Sequence, residues 1–328
     1  MKISRNRQPA HVRAIRDLSP TVREFEIRPE GGVKPWTVGS HLKVRVIVDG
    51  VEDERSYSLV GLPDPEVYRI AVKRAEPGRG GSRHMWSLLA GDELQVGEPN
   101  NHFELPLNAA ALAPQTLLVA GGIGITPLVG MAQLLAARGA AVAMRYAARN
   151  AAELVYADVL TQALGERLRT FCSDAGERLS IEQEIAALPP GAQMLVCGPL
   201  ALLDAAVTAW TQAGRDPADL RFETFGNSGR HESESFWVEL PRHQLRIEVP
   251  AGRSLLQALE DHGVQTLYDC QRGECGLCAM DIVEVAGTID HRDVFLSAEE
   301  KHDNRRICAC VSRVSGGGVV LDSAYRPD

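Results

Sequence analysis

The sequence predicts a multidomain protein of mixed β and α/β class: an antiparallel β-barrel, a doubly wound parallel α/β domain, and a small C-terminal domain built around metal. Three observations predict it. The first hundred residues alternate short patterned strands with turns. After Pro114, apolar runs alternate with helical stretches. Five of the seven cysteines crowd between Cys270 and Cys310. At 328 residues the chain exceeds one ordinary core and suits two or three domains of ~100–150 residues.

In the first segment, residues 1–110, the run 42–48 alternates apolar and polar positions, Asp49-Gly50 turns the chain, and a second run covers 55–60. That is the pattern of an antiparallel hairpin with one buried face. Two features in this segment suit a phosphate-bearing ring system. Arg55-Ser56-Tyr57-Ser58 sets a cation, a ring face and hydroxyls along one strand. Gly78-Arg79-Gly80-Gly81-Ser82 opens a helix-like run with free amides and a cap hydroxyl.

Residues 111–227 read as the α/β domain. A fully apolar strand, 116–120, enters Gly121-Gly122-Ile123-Gly124-Ile125-Thr126-Pro127 and then a helical stretch, 128–138. A strand, a glycine turn and a helix in that order place a pyrophosphate at a helix N-terminus. Thr126 suits the cap and Pro127 the first helical position. Further apolar runs lie at 141–146 and 194–197, and the second ends in Cys197-Gly198-Pro199. Glycine there lets a flat ring approach, and a small polarisable thiol can border a nicotinamide. Taken singly, each motif is an ordinary tight turn; taken together they form a dinucleotide site that departs from the standard G-x-G-x-x-G fingerprint.

The polar stretch 226–235, GNSGRHESES, has linker chemistry, with the linker proper at 228–235. Residues 236–328 then hold two strand-like runs, 236–240 and 244–249, a helix capped by Ser254 and ending near residue 262, and the cysteine loop. Cys270-x4-Cys275-x2-Cys278 with one distant fourth cysteine is the plant-type [2Fe–2S] spacing, whereas structural zinc prefers two separated C-x2-C pairs. Gly273 and Gly276 would let backbone N–H groups approach the sulfurs. Two candidates remain for the fourth ligand. Cys308 and Cys310 are two apart and face one side if they lie on a strand, and spacing alone favours Cys308. Cys172 and Cys197 lie outside the cluster.

A hydride donor and a one-electron cluster cannot be coupled directly, and flavin is the usual converter between them. The two phosphate-suited features of the first segment are its expected site.

Composition narrows the function classes. A net charge of −8 argues against nucleic-acid binding, which needs clustered Lys and Arg. From Glu232 to Asp328 there are 17 Asp and Glu against 10 Lys and Arg, an excess that can steer a basic partner or simply solvate a surface. No run of 18 apolar residues occurs and no apolar stretch follows the basic N-terminus, so a cytoplasmic protein without a membrane span is expected.

These residues resemble the phthalate dioxygenase reductase family, related to ferredoxin–NADP reductases, over nearly the whole chain. The matching elements are R-S-Y-S at 55–58, A-V-K-R at 71–74, G-R-G-G-S at 78–82, G-G-I-G-I-T-P at 121–127, C-G-P at 197–199, E-T-F-G at 223–226, D-H-R-D at 290–293 and C-V-S-R at 310–313. The resemblance implies an FMN-binding barrel, an NADH domain and a C-terminal β-grasp plant-type ferredoxin domain. It implies an NADH-dependent reductase serving a Rieske-type oxygenase that hydroxylates or demethylates an aromatic acid. Residue by residue, it puts Arg55, Ser56, Tyr57, Ser58, Val72, Lys73, Gly80, Gly81, Ser82 and Thr126 at the flavin. Gly121, Gly122, Gly124, Cys197, Gly198 and Pro199 fall at the nucleotide, and Ser58, Cys197 and Phe225 around the hydride transfer. Cys310 becomes the fourth ligand beside Cys270, Cys275 and Cys278, because C-V-S-R resembles the segment that carries the last ligand in related reductases.

NADH over NADPH follows mainly from the family; Asp174 can accept ribose hydroxyls and repel a 2′-phosphate, while nearby Arg149 opposes it. Ser56 replaces a commoner threonine, and residues 324–328 extend the usual end. The competing readings are an FAD-dependent reductase for another acceptor, and a non-enzymatic redox sensor or zinc-stabilised interaction protein.

Overall fold

The computed structural model describes residues 7–75, 78, 80–106, 113–225 and 233–322. They form two compact units that meet in sequence between Glu223 and Thr224. The expected linker 228–235 lies outside the described residues except for Ser233, Glu234 and Ser235.

The first unit opens with β1 (Gln8–Ser19), β2 (Val22–Pro29), β3 (His41–Val48), β4 (Val51–Ser58), β5 (Tyr68–Lys73) and β6 (Glu93–Val96), in the order β4-β3-β6-β1-β2-β5. Every neighbouring pair is antiparallel. An isolated bridge between Leu59 and Ile70 joins the two ends of the sheet and closes it into a barrel. The expected hairpin is present: β3 and β4 pair from His41↔Ser58 to Val48↔Val51. Its turn holds Asp49 at φ 50° and Gly50 at φ 80°, two positive values in succession that suit the twist of the strands. Alternate residues point inward, so that Phe25, Ile27, Leu42, Val44 and Ile70 fill the barrel.

The same unit continues with β7 (Thr116–Gly121), β8 (Val142–Ala148), β9 (Leu168–Cys172), β10 (Gln193–Cys197) and β11 (Leu220–Glu223), an all-parallel sheet in the order β11-β10-β7-β8-β9. The chain winds outward from β7, then returns to its other side at β10, which makes the gap between β7 and β10 the topological switch point. Apolar runs predict only the three central strands. The edge strands β9 and β11 carry exposed Arg169, Thr170 and Arg221, because a strand at the sheet edge is not covered on both faces and needs no continuous apolar run.

Barrel and parallel sheet are packed tightly against each other. In the helix Thr126–Ala137, a Cβ at Gly130 would run into the Gly61 carbonyl and lie 2.9 Å from Val38 Cγ1. Two polar clamps reinforce the contact. Tyr156 donates its hydroxyl to Glu24 Oε2 at 2.7 Å, and burial followed by the Glu24 charge pushes that hydroxyl far above its ordinary value. Glu153 accepts from Thr21 at 2.7 Å, Ser19 at 3.1 Å and Lys73 at 3.1 Å. Burial alone would raise the Glu153 carboxyl, but these donors outweigh it and hold it below the usual carboxylate range.

The second unit contains β12 (Phe236–Leu240), β13 (Leu245–Val249), β14 (Ala279–Asp290), β15 (Arg306–Cys308) and β16 (Arg313–Asp322), in the order β13-β12-β16-β14-β15. Only β12 and β16 pair in parallel. With the helix Leu255–Asp261 this is a β-grasp fold. Ser254 caps that helix as expected: its hydroxyl accepts from Gln257 N at 3.1 Å while the Gln257 side chain accepts from Ser254 N at 3.0 Å. Among the described residues no helix is long and apolar enough to cross a membrane.

The Gly130 contact is testable by overpacking. Gly130→Ala is expected to destabilise the first unit by ~1–3 kcal/mol, read as a lower urea midpoint at unchanged m-value. An unaltered midpoint would mean that helix and barrel do not press together as described.

Candidate functional site

Five thiols gather in the second unit. Cys270, Cys278, Cys308 and Cys310 are buried, Cys275 is half-buried, and none is in a disulfide. The amides of Arg272, Glu274 and Cys275 all donate to Cys270 Sγ at 3.4 Å, a cradle suited to a thiolate. Wrapping the loop this tightly requires left-handed backbone at Gly273 (φ 80°) and Gly276 (φ 72°). There is also no space for a side chain, since a Cβ at Gly273 would lie 2.8 Å from Asp293 Cα and one at Gly276 would enter the Phe295 ring.

The sulfurs touch one another in pairs. Cys270 is hydrogen-bonded to the thiols of Cys275 and Cys310, and Cys278 to those of Cys308 and Cys310. Those donors drive Cys270 far below the ordinary thiol range and lower Cys278 to about 4. The donating thiols Cys275, Cys308 and Cys310 are driven up in turn by the same bonds. Thiols so close cannot all ionise by themselves; bound iron would resolve the conflict, since these residues would hold it as thiolates. Among the described residues no three Cys, His, Asp or Glu side chains gather as ligands of a single metal ion. A [2Fe–2S] cluster instead shares four thiolates between two irons, so the paired donor set fits it. The strand argument for the fourth ligand fails, because β15 ends at Cys308 and Cys310 falls in the turn before β16. Cys310 nevertheless reaches both Cys270 and Cys278.

Beneath the loop, D-H-R-D at 290–293 and C-V-S-R at 310–313 form one lock. Asp293 accepts from Leu296 N at 2.9 Å and Ser312 Oγ at 3.1 Å, with His291 Nδ1 at 3.7 Å and Lys301 Nζ at 3.8 Å. Ser312 Oγ accepts in turn from Arg292 N at 3.1 Å, and Arg292 pairs with buried Asp290 at 2.7 Å. The Arg313 guanidinium donates to the carbonyls of Glu234 at 2.9 Å and Pro250 at 3.0 Å. Burial alone would raise the Asp293 carboxyl, but nearby His291 and the Lys301 charge hold it below the usual range. Burial and the neighbouring Arg292 lower Arg313 to about 10.

In the first unit the two glycine motifs meet at the switch point. Cys197 pairs with Ala120 across β10 and β7. A Cβ at Gly124 would strike the Cys197 carbonyl, one at Gly121 would lie 2.6 Å from Pro199 Cδ, and one at Gly198 3.0 Å from Gly121 N. Gly122, at φ 54°, faces open space. The helix begins differently from the expectation. A 3-10 turn, Gly122–Ile125, runs straight into it, Thr126 is its first residue and Pro127 its second. The Thr126 hydroxyl donates to the Ile123 carbonyl at 3.0 Å and does not cap, because Ile125 at the cap position is already helical. Asp174 N donates to Arg149 O at 2.8 Å, which sets these two residues together past the ends of β9 and β8.

On the barrel, Arg55 lies across Gly81, where a Cβ would be 2.7 Å from Arg55 Nε, and its guanidinium pairs with Asp53 at 2.7 Å. Ser56 and Tyr57 sit opposite Lys43 and Leu42 in the hairpin. The helix Gly81–Ser87 is capped by left-handed Gly80 without a side-chain bond, contrary to the expected hydroxyl cap. Ser82 Oγ instead accepts from Ala75 N at 3.2 Å; Arg79 lies outside the described residues. Trp86 Nε1 donates to Val72 O at 3.1 Å and ties this helix to β5, while Lys73 is engaged with Glu153.

Ser58 and Cys197 are brought together through a residue with no expected role. Ser58 Oγ donates to Glu223 Oε2 at 3.4 Å, and Glu223, fully buried, pairs with Cys197 across β11 and β10. Its only signal in the sequence is E-T-F-G at 223–226. Phe225 is half-buried and belongs to the second unit; Gly226 lies outside the described residues.

Comparison with known proteins bears on both units. Residues 238–315 match the 2Fe-2S iron-sulfur cluster binding domain. The chain is 36% identical to the heme-dependent oxidative N-demethylase beta subunit of Ectopseudomonas mendocina, over 95% of this chain and 97% of that protein. It is also 36% identical to the phthalate 4,5-dioxygenase oxygenase reductase subunit of Pseudomonas putida, over 93% and 94% respectively. Identity to the carnitine monooxygenase reductase subunit of Acinetobacter baumannii is 31%, over 96% and 97%. Among solved structures, phthalate dioxygenase reductase, described as modular for electron transfer from pyridine nucleotides to [2Fe–2S], superposes with a TM-score of 0.76 at 30% identity. That match covers 97% of this chain and 98% of the other.

The buried lock predicts an acid response. With its folded value held below the unfolded one of about 3.9, Asp293 contributes stability that is complete above that pH and is lost as pH falls through the folded value. Asp293→Asn should therefore be less stable than wild type at pH 7, by a gap that narrows toward pH 3 in denaturant titrations. A gap constant over this range would remove the carboxylate charge from the account.

Proposed function

The chain belongs to the phthalate dioxygenase reductase family, flavin- and [2Fe–2S]-dependent reductase components of oxygenase systems, and from that premise we propose that it carries electrons from NADH through FMN to a Rieske-type oxygenase acting on an aromatic acid. The carrying observation is one chain that pairs a glycine-lined switch point with a thiol set suited to two irons. When bound, flavin converts a two-electron hydride into single electrons and the cluster accepts them one at a time.

The residues divide this work. Gly121, Gly122, Gly124, Gly198 and Pro199 leave backbone room at the switch point for the dinucleotide, and Cys197 borders its nicotinamide. Arg55, Gly80, Gly81 and Ser82 hold the flavin phosphate end, while Ser56, Tyr57, Val72, Lys73 and Thr126 line the ring system. Ser58 presents a hydroxyl to the reacting edge, held in orientation by Glu223, and Phe225 serves the ring. Asp174 favours NADH by repelling a 2′-phosphate. Cys270, Cys275, Cys278 and Cys310 hold the irons; Cys310 is supported by its contact with both Cys270 and Cys278. A cytoplasmic setting keeps these thiols reduced before the cluster is built.

A second reading concerns the acceptor alone. One relative is named a subunit of a heme-dependent N-demethylase, so a heme oxygenase is the competing partner. NADH-coupled turnover with purified Rieske and heme oxygenases decides between them, and chromatography of the released flavin separates FMN from FAD.

The modular division yields a sharper expectation. Cys275→Ser should abolish cluster absorbance and reduction of a one-electron protein acceptor, while NADH still bleaches the flavin at a near wild-type rate. A folded variant that no longer reduces flavin would sink the proposal.

A further inference from the structure

Glu274 lies inside the cysteine loop, between Cys270 and Cys275, and its backbone and side chain hold different things. Its amide donates to Cys270 Sγ at 3.4 Å. Its carboxylate divides between two partners: Oε2 pairs with the buried guanidinium of Arg272 at 2.9 Å, and Oε1 accepts from Thr224 N at 3.0 Å. Thr224 lies 50 residues earlier in the chain and is buried. It is also where the chain enters the second unit, directly after Glu223 at the end of β11. Beside it, Val294 N donates to Gly273 O at 2.9 Å, so a second segment also holds the loop.

We propose that Glu274 is a positioning residue that fastens the cysteine loop to Thr224 and so sets the rate at which the cluster takes up electrons from flavin. The inference rests on the reading of NADH, flavin and cluster in series. Each transfer takes one electron from reduced flavin and converts one ferric ion of the cluster to ferrous; no bond to Glu274 forms or breaks. An electron crosses only while the acceptor is held in a competent arrangement, and a loop free to drift spends less time there. A carboxylate suits the position because it has two acceptor oxygens, one for the Arg272 charge and one for the Thr224 amide. Both bonds are charge-assisted and shielded from water, which strengthens them.

The test mixes full-length protein, loaded with flavin and cluster and purified without oxygen, rapidly with NADH and follows flavin and cluster absorbance separately. Glu274→Gln keeps one acceptor oxygen for Thr224 N and loses the ion pair with Arg272, whereas Glu274→Ala loses both. In Glu274→Ala the flavin should bleach as fast as in wild type while cluster reduction slows about tenfold, the loss expected when a charge-assisted bond no longer favours the bonded arrangement. Glu274→Gln should recover most of that rate. Cluster midpoints of the two variants should agree, because both remove the same charge. Hydrogen-exchange mass spectrometry, which needs no electron flow, should show faster exchange at Thr224 in Glu274→Ala only. Wild-type cluster reduction in Glu274→Ala overturns the inference, as does equal slowing in both variants, which assigns the effect to the charge beside Arg272. Should Glu274→Ala shed its cluster because the Arg272 charge has lost its Glu274 partner, Arg272→Met/Glu274→Ala and Arg272→Met/Glu274→Gln give the same comparison without that charge. A wild-type cluster that NADH does not reduce at all overturns the proposed function, and the inference with it.

Discussion

Crowding of thiols inside an apolar core is the constraint around which the second unit is built. Sulfurs that share protons in pairs have no stable common ionisation state of their own, and burial denies them water as a remedy. The surroundings supply what the core cannot. Three loop amides converge on Cys270, and the glycines that aim them occupy backbone conformations and spaces closed to other residues. Asp293, Ser312 and Arg292 tie the 290–293 segment to the segment that bears Cys310, and Val294 N donates to Gly273 O at 2.9 Å in the cysteine loop. The buried charge is tolerated here because Asp293, Ser312 and Arg292 are each hydrogen-bonded.

The first unit solves a similar problem with glycine instead of charge. A dinucleotide bound at the switch point would need backbone rather than side chains at the strand ends, and β7 and β10 come so close that Gly121, Gly124 and Gly198 admit no Cβ. The same economy of space joins the parallel sheet to the barrel at Gly130 and Gly61. Ser58 on the barrel donates to Glu223, which lies in register with Cys197 in the parallel sheet, so one buried carboxylate links the barrel to the strand end that carries Cys197.

Much of this was legible in the linear pattern. The hairpin at Asp49-Gly50, the strand 236–240, the Ser254 cap and the three central strands of the parallel sheet follow local rules of alternation, turn chemistry and capping. The failures share one cause. Thr126 and Ser82 look like caps because their types and positions suit caps, but Thr126 follows a turn that is already helical, and Ser82 takes the Ala75 amide. β9 and β11 give no apolar run because they are edges, and edge status belongs to the sheet rather than to the strand.

The sequence by itself determined the chemistry available: cysteine spacing that selects an iron–sulfur cluster, glycine turns after apolar strands, and the order of the domains. Spacing along a chain carries such information because loops and strand ends are local objects. Tertiary structure alone decided which distant groups meet, among them Glu223 with Ser58, Asp293 with Ser312, and Cys308 with Cys278. Those meetings are set by how sheets pack and how strands register, and a residue 165 positions away leaves no mark on its partner's local pattern.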